Sequence, residues 1–191
     1  MKYRNLIIVS LLFLGIIPFI SSCGSSDNPS SSKQEDNIKE TALKFVQEKD
    51  GIGSGSVFMR YNPQGSDTDT ETVAIDIAAY QTGGVFGAAF DVEFDPDMLQ
   101  YLGNDFGPFF ECDTSSLCQV KLVDGYPARL VIATSLSGDR VTSESDDTIL
   151  TLKFKVIGMG DTPVTFKGNS ILDASLKTVK INWHGGVITR S

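Results

Sequence analysis

The chain has one histidine, one tryptophan and three cysteines in 191 residues. One imidazole cannot build a multi-histidine metal site. A Ser-His-Asp arrangement would have to use His184, which stands between Trp183 and Gly185 and reads as a turn residue near the last strand. There is no Cys-x-x-Cys pair, so the common redox and zinc spacings are missing. No glycine-rich loop follows a strand and opens a helix, so no phosphate cradle is encoded. Basic side chains are few, 16 against 24 acidic ones. Such a surface repels nucleic acid and anionic lipid headgroups. No apolar run reaches the roughly 20 residues that a membrane-spanning helix needs.

What is present begins with a leader. Lys2 and Arg4 precede an apolar run over residues 6–20, interrupted near its end by Pro18. This fits the core of a secretory signal peptide. The run closes on Ile20-Ser21-Ser22-Cys23, which resembles the lipobox of bacterial lipoproteins: an aliphatic residue, two small ones, then cysteine. The resemblance implies removal of residues 1–22 and acylation of Cys23. The alternative is an ordinary signal peptide with an incidental cysteine. Glycine, not aspartate, follows at position 24, which in a two-membrane host implies sorting to the outer membrane or cell surface. Cleavage would remove Lys2 and Arg4 and no acid, leaving 14 basic and 24 acidic side chains and a net charge of −10. Cys112 and Cys118 then form an even pair in an exported chain, which favours a disulfide over a redox or metal pair.

The remainder divides into two stretches by composition. Residues 23–53 read as the acylated cysteine and a tether. Residues 24–37 are rich in Ser, Asp and Asn and cannot bury a core. Over residues 38–49, Ile38, Ala42, Leu43, Phe45 and Val46 fall mostly on one helical face, and Asn37 with Glu40 offers a capping-box-like start. The pattern predicts a short helix, marginal in isolation. Gly51, Gly53 and Gly55 then mark a boundary, with one domain over residues 54–191.

In that domain the period becomes two. Val73, Ile75, Ile77 and Ala79 alternate with Ala74, Asp76 and Ala78, and Phe90, Val92 and Phe94 with Asp91 and Glu93. Leu150, Leu152, Phe154 and Val156 alternate with Thr151, Lys153 and Lys155. Gly83-Gly84, Asp124-Gly125, Gly138-Asp139 and Gly185-Gly186 supply turns. Regular half-buried strands without a long helix imply an all-β sandwich. Asp95-Pro96 ends one strand, because proline cannot continue a ladder, and Asp95 can cap the turn that carries Met98 and Leu99 inward.

The run from Gly87 to Leu99 is similar to the cohesin signature, a strand ending in aromatic-Asp-Pro and then a short turn and leucine. Leu130-Val131-Ile132-Ala133, the strand from Thr148 to Val156, Thr162-Pro163-Val164-Thr165-Phe166, Ile171-Leu172-Asp173-Ala174 and Gly185-Gly186-Val187-Ile188 follow in the family's order. The resemblance implies a nine-stranded jelly-roll β-sandwich, related to a group of carbohydrate-binding modules. It also implies a binding role without catalysis, in which one sheet face takes dockerin, a calcium-loaded helical partner. Aligned on Phe94-Asp95-Pro96, the outward residues are Gly87, Ala89, Asp91 and Glu93, joined by Gln119 and Lys121 from a neighbouring strand. Many dockerin-binding cohesins carry Asn and Asp where this chain has Gly87 and Ala89. The acids here would favour a partner with Lys or Arg at its centre.

Two other classes stand beside this one. A carbohydrate-binding module would use exposed aromatics, with Tyr61, Tyr80, Tyr101, Phe109, Phe110, Tyr126 and Trp183 as candidates. A small glycan-active enzyme would need a carboxylate pair. No cofactor is expected. Calcium is conceivable at Asp67, Asp69 and Glu71, but EF-hand spacing is missing and a solvated turn fits better. The partner is therefore a protein or a polysaccharide, with the membrane reached through a lipid anchor. Protein from a lipoprotein-processing host should lack residues 1–22 and carry acyl mass on Cys23 by mass spectrometry. An unmodified, water-soluble mature chain would overturn the anchor.

Overall fold

The structure, a computed structural model, describes residues 43–138, 141–142 and 147–191. The chain divides into Met1–Ile38 and Lys39–Ser191. The leader, Cys23 and the tether as far as residue 42 lie outside the described residues, as do residues 38–42 of the segment expected to be helical.

The described residues form eleven strands: β1 Leu43–Gln47, β2 Ser56–Tyr61, β3 Thr72–Tyr80, β4 Val85–Phe94, β5 Leu99–Phe106, β6 Leu117–Val123, β7 Ala128–Ser135, β8 Asp147–Val156, β9 Gly160–Asp173, β10 Asn182–His184 and β11 Gly186–Arg190. A 3-10 turn, Pro108–Phe110, lies between β5 and β6. One sheet has the order β1-β11-β9-β4-β7-β6 and the other β10-β2-β3-β8-β5. All pairings are antiparallel except β10 on β2. The architecture is the expected all-β jelly-roll sandwich, with eleven strands rather than nine. The short β10 and the unforeseen β1 belong to the difference.

Alternation selects the core. Phe90, Val92 and Phe94 of β4, Leu130 and Ile132 of β7, Val164 of β9 and Ile188 of β11 are buried from one sheet. Val57, Met59, Ile75, Ile77, Leu150, Leu152 and Phe154 are buried from the other. Phe94 meets Phe154 with ring centroids 5.1 Å apart, an edge-to-face contact. Phe90, Phe166 and Trp183 form a second aromatic cluster at 5.0–5.7 Å. The Asp95-Pro96 turn has the expected form: Asp97 N–H donates to Asp95 Oδ1 at 2.9 Å, and the Met98 and Leu99 amides donate to the Asp95 carbonyl. Leu99 enters the core.

Two readings of the sequence need correction. Residues 43–47 are a strand, not part of a helix, and the domain boundary therefore lies before residue 54. Leu43, Phe45 and Gln47 are half-buried while Lys44 and Val46 are exposed, a period of two. The five residues pair with β11, from Leu43 opposite Arg190 to Gln47 opposite Gly186. A helix of about 12 residues has little stability of its own, so pairing with an otherwise open sheet edge decides the conformation. Gly186 is required beneath this strand, because a Cβ there would run into the Phe45 ring. A chain beginning at residue 54 should be about 2–4 kcal/mol less stable in urea than one beginning at residue 43, since it loses the ladder bonds and the burial of Leu43 and Phe45. Equal stabilities would place β1 outside the cooperative unit.

Candidate partner-binding face

β4 lies between β9 and β7 in the six-stranded sheet. Since Phe90, Val92 and Phe94 point inward, Ala89, Asp91 and Glu93 point outward. Opposite them on β7 stand Ala133, Val131 and Arg129. On β9 stand Ser170, Lys167 and Thr165. The register on β9 advances by one extra residue between Ser170 and Lys167, a bulge occupied by Gly168 in the left-handed region (φ +56°) and Asn169. The bulge lies beside the Asp91 carboxylate.

Three sequence expectations change here. Gly87 is buried: a side chain at that position would meet the Thr134 carbonyl at 3.0 Å and Ser135 Cβ at 3.2 Å. It forms floor, not exposed contact surface. Gln119 and Lys121 are exposed on the same face, but β7 separates them from β4, with Gln119 opposite Ala133 and Lys121 opposite Val131. Their separation from β4 is therefore two strand spacings, about 10 Å. Asp91 is not an unpaired acid: Arg129 Nη1 lies 3.0 Å from its Oδ2. The charge of Asp91 is thus locally offset, which leaves Glu93 to carry the acidic character expected of this strand. The outward residues of β7 were missed, although Arg129, Val131, Ala133 and Ser135 follow the same period-two rule that placed β4.

Toward the start of β4 the face becomes apolar and small. Gly87, Ala89, Leu117, Ala133, Ser135, Ser170 and Leu172 border a shallow groove of about 190 Å³. No charged side chain borders it. Leu117 opens β6, directly after a loop fixed at both ends. Phe109 and Phe110 are buried with their rings 5.0 Å apart, and Cys112 is disulfide-bonded to Cys118 with a Cα–Cα distance of 5.9 Å. Inside the loop the Asp113 carboxylate accepts from Ser115 N–H at 2.8 Å and Ser116 Oγ at 2.9 Å.

The outer face of the five-stranded sheet is different. Asp76 accepts from Asn62 Nδ2 and Thr151 Oγ1, both at 2.7 Å, and lies 3.5 Å from Arg60 Nε. Arg60 Nη2 also donates to Thr148 Oγ1. These groups satisfy one another.

The remaining singled-out residues lie elsewhere. Asp67 organises its own turn, its Oδ1 accepting from Asp69 N–H at 3.0 Å and its Oδ2 from Thr70 Oγ1 at 2.9 Å, while Glu71 pairs with Arg190. Among the described residues no group of three or more His, Cys, Asp or Glu is placed to hold a metal ion. His184 sits on β10, opposite Phe58 of β2. Of the aromatics, Phe109 and Phe110 are core residues, and Trp183 packs on Phe90 and Phe166. Tyr101 is half-buried on Phe154, and burial pushes its hydroxyl pKa up. Tyr126 differs from these, with 73% of its surface exposed. Its hydroxyl donates to Asp95 Oδ2 at 3.2 Å, and this bond with the nearby carboxylate charge raises its pKa.

The described residues form a two-sheet β-sandwich, antiparallel apart from the short β10–β2 pair, with the outer face of the six-stranded sheet presented to solvent. The family model described as "Cohesin domain" matches residues 62–183, and the chain belongs to the cohesin family. Comparison with curated proteins gives no match. Among solved structures, a type II cohesin domain from the cellulosome of Acetivibrio cellulolyticus is similar at 13% identity and TM-score 0.54, covering 78% of this chain and 94% of that one. The non-cellulosomal cohesin of the archaeon Archaeoglobus fulgidus is similar at 15% identity and TM-score 0.50, covering 78% and 89%. The cohesin–dockerin complex Coh-OlpC-Doc435 of Clostridium thermocellum is similar at 14% identity and TM-score 0.53, covering 63% and 85%. At these identities the likeness is one of fold.

The disulfide has a measurable consequence. Alkylation without reductant should label neither Cys112 nor Cys118 in exported material. Replacing both by serine should cost about 2 kcal/mol, the loop-closure entropy of so short a ring. It should also speed amide exchange at the start of β6 around Leu117. Unchanged stability and exchange would show that the loop is held by Phe109 and Phe110 alone.

Proposed function

We propose that this chain is a lipid-anchored, non-catalytic cohesin module that holds a protein partner on the outer face of β9-β4-β7-β6. The observation that carries this reading is the contrast between the two outer faces. On the five-stranded sheet, Asp76, Arg60, Asn62 and Thr151 are engaged with one another. On the six-stranded sheet, small residues leave an uncharged groove beside a closed ion pair. A groove that no charged side chain borders and whose backbone lies under glycine, alanine and serine admits close approach of a complementary ridge at little desolvation cost. Family membership supports a protein partner, since cohesins among the similar structures are seen with dockerins. Where that family's partner meets Asn and Asp, this chain offers the Gly87 floor and Ala89, so the partner should present apolar side chains there. The lipobox-like Ile20-Ser21-Ser22-Cys23 and the polar stretch after it support attachment to the outer membrane or cell surface.

The test uses Ala89→Arg. Ala89 is exposed, so the change should alter stability by less than about 0.5 kcal/mol. A partner captured by the wild-type chain from the host's own surface and secreted proteins should bind the variant at least about tenfold more weakly, because the long charged side chain fills the groove. Leu102→Arg, on exposed β5 of the other sheet, should leave binding unchanged. Retained binding by Ala89→Arg, or equal loss by both variants, would place the site elsewhere.

A further inference from the structure

The outer face carries a second feature at the opposite end of β4. Glu93, Phe94, Asp95, Tyr126, Pro127, Pro163 and Thr165 border an open hollow of about 270 Å³. Tyr126 is the most exposed large hydrophobic side chain of the described residues. Its hydroxyl is tied to Asp95 Oδ2. Asp95 is itself fixed through Oδ1 by the Asp97 amide. Pro127 borders the same hollow and follows Tyr126 directly in the chain. An aromatic face that water reaches, anchored through its hydroxyl and flanked by proline, offers a surface for stacking.

We propose that this corner binds a neutral glycan, with a sugar ring stacked on Tyr126 and its hydroxyls donating to Glu93 and accepting from or donating to Thr165. The inference goes beyond the protein-binding reading and does not need it. The polar groups available select the ligand class. Carboxylates only accept hydrogen bonds. Sugar hydroxyls supply donors to match. A proline-rich peptide, the other common ligand of an exposed Tyr-Pro surface, presents backbone carbonyls and needs donors. Among the side chains bordering the hollow, only the Thr165 hydroxyl and the already engaged Tyr126 hydroxyl carry one. An anionic polysaccharide would meet Glu93 and Asp95 and be repelled. Pro127 and Pro163 supply apolar floor for the C–H face of a sugar. The corner is also distinct from the groove: their nearest bordering residues on β4, Ala89 and Glu93, are four residues apart, about 13 Å of extended strand, with Asp91 between them.

The experiment titrates the mature chain with neutral hexasaccharides of glucose, xylose and mannose, and with decaproline, following backbone amide shifts. At least one hexasaccharide should give saturable shifts at Gly125, Tyr126 and Thr165. Tyr126→Ala should weaken it by about tenfold or more, and Tyr126→Phe, which keeps the ring but loses the tie to Asp95, should weaken it by clearly less than Tyr126→Ala does. Ala89→Arg should bind the sugar as wild type does, even though it blocks the groove, so failure of one site is separable from failure of the other. No shift with any hexasaccharide, unchanged binding by Tyr126→Ala, or shifts at the same amides from decaproline alone would each overturn the proposal.

Discussion

Burial of Phe90, Val92 and Phe94 on one side of β4 governs what the molecule can present. These three side chains are almost wholly shielded, and Phe94 reaches across to Phe154 on the opposing sheet. A slip of one residue would send all of them into water, at about 1.5–3 kcal/mol each, and turn Asp91 and Glu93 into the core. The register is therefore fixed, and with it the identity of the outward row. β7 and β9 inherit the constraint through their ladders with β4. That places Arg129, Val131 and Ala133 on one flank and Thr165, Lys167 and Ser170 on the other. The composition of the outward face is a consequence of core packing, not a separate device.

The chemistry of that surface is set by what its charges already do. The Asp91–Arg129 pair is partly exposed, so its own contribution to stability is small, about 0–1 kcal/mol. Its effect on recognition is larger, because a paired carboxylate attracts an incoming cation less than an isolated one does. The acidic chain as a whole remains hostile to polyanions. Locally, however, the face divides into an uncharged groove, a neutralised band and an acceptor-rich corner around Glu93 and Asp95. The groove thus offers shape without charge, and the corner offers hydrogen-bond acceptors with few donors.

Much of this was legible in the sequence, and the failures have physical causes. The parity of β4, the Asp95-Pro96 turn and the Cys112–Cys118 pair each depend on local chemistry: a period of two, a missing amide hydrogen, and an even cysteine pair in an exported chain. β1 was misread because Ala42, Leu43, Phe45 and Val46 fit a helical stripe as well as a strand. Only the open edge of β11, remote in sequence, decides between them. The cohesin match over residues 62–183 does not include β1 either. Gly87 was placed on the correct side, but its burial follows from the approach of Thr134 and Ser135 across the ladder. Phe109 and Phe110 were weighed as sugar-stacking residues, and the 3-10 turn that folds them inward leaves no periodic mark. The bond from Arg129 to Asp91 is diagonal across the β4–β7 ladder, and pairing rules predict direct neighbours better than diagonal ones.

The topology also relates the two ends of the face to the course of the chain. β1 enters the sheet at Leu43, opposite Arg190, and Arg190 in turn lies opposite Gly160 at the start of β9. The Pro163–Thr165 edge of the corner is only a few residues along β9 from that point, whereas the Ser170–Leu172 edge of the groove lies near its far end. The chain thus reaches the domain at the corner's end of the sheet and leaves the groove distal. A sheet face about 30 Å long thus carries its uncharged groove near one end and its acceptor-rich corner near the other, and the single register of β4 against β7 and β9 fixes both at once.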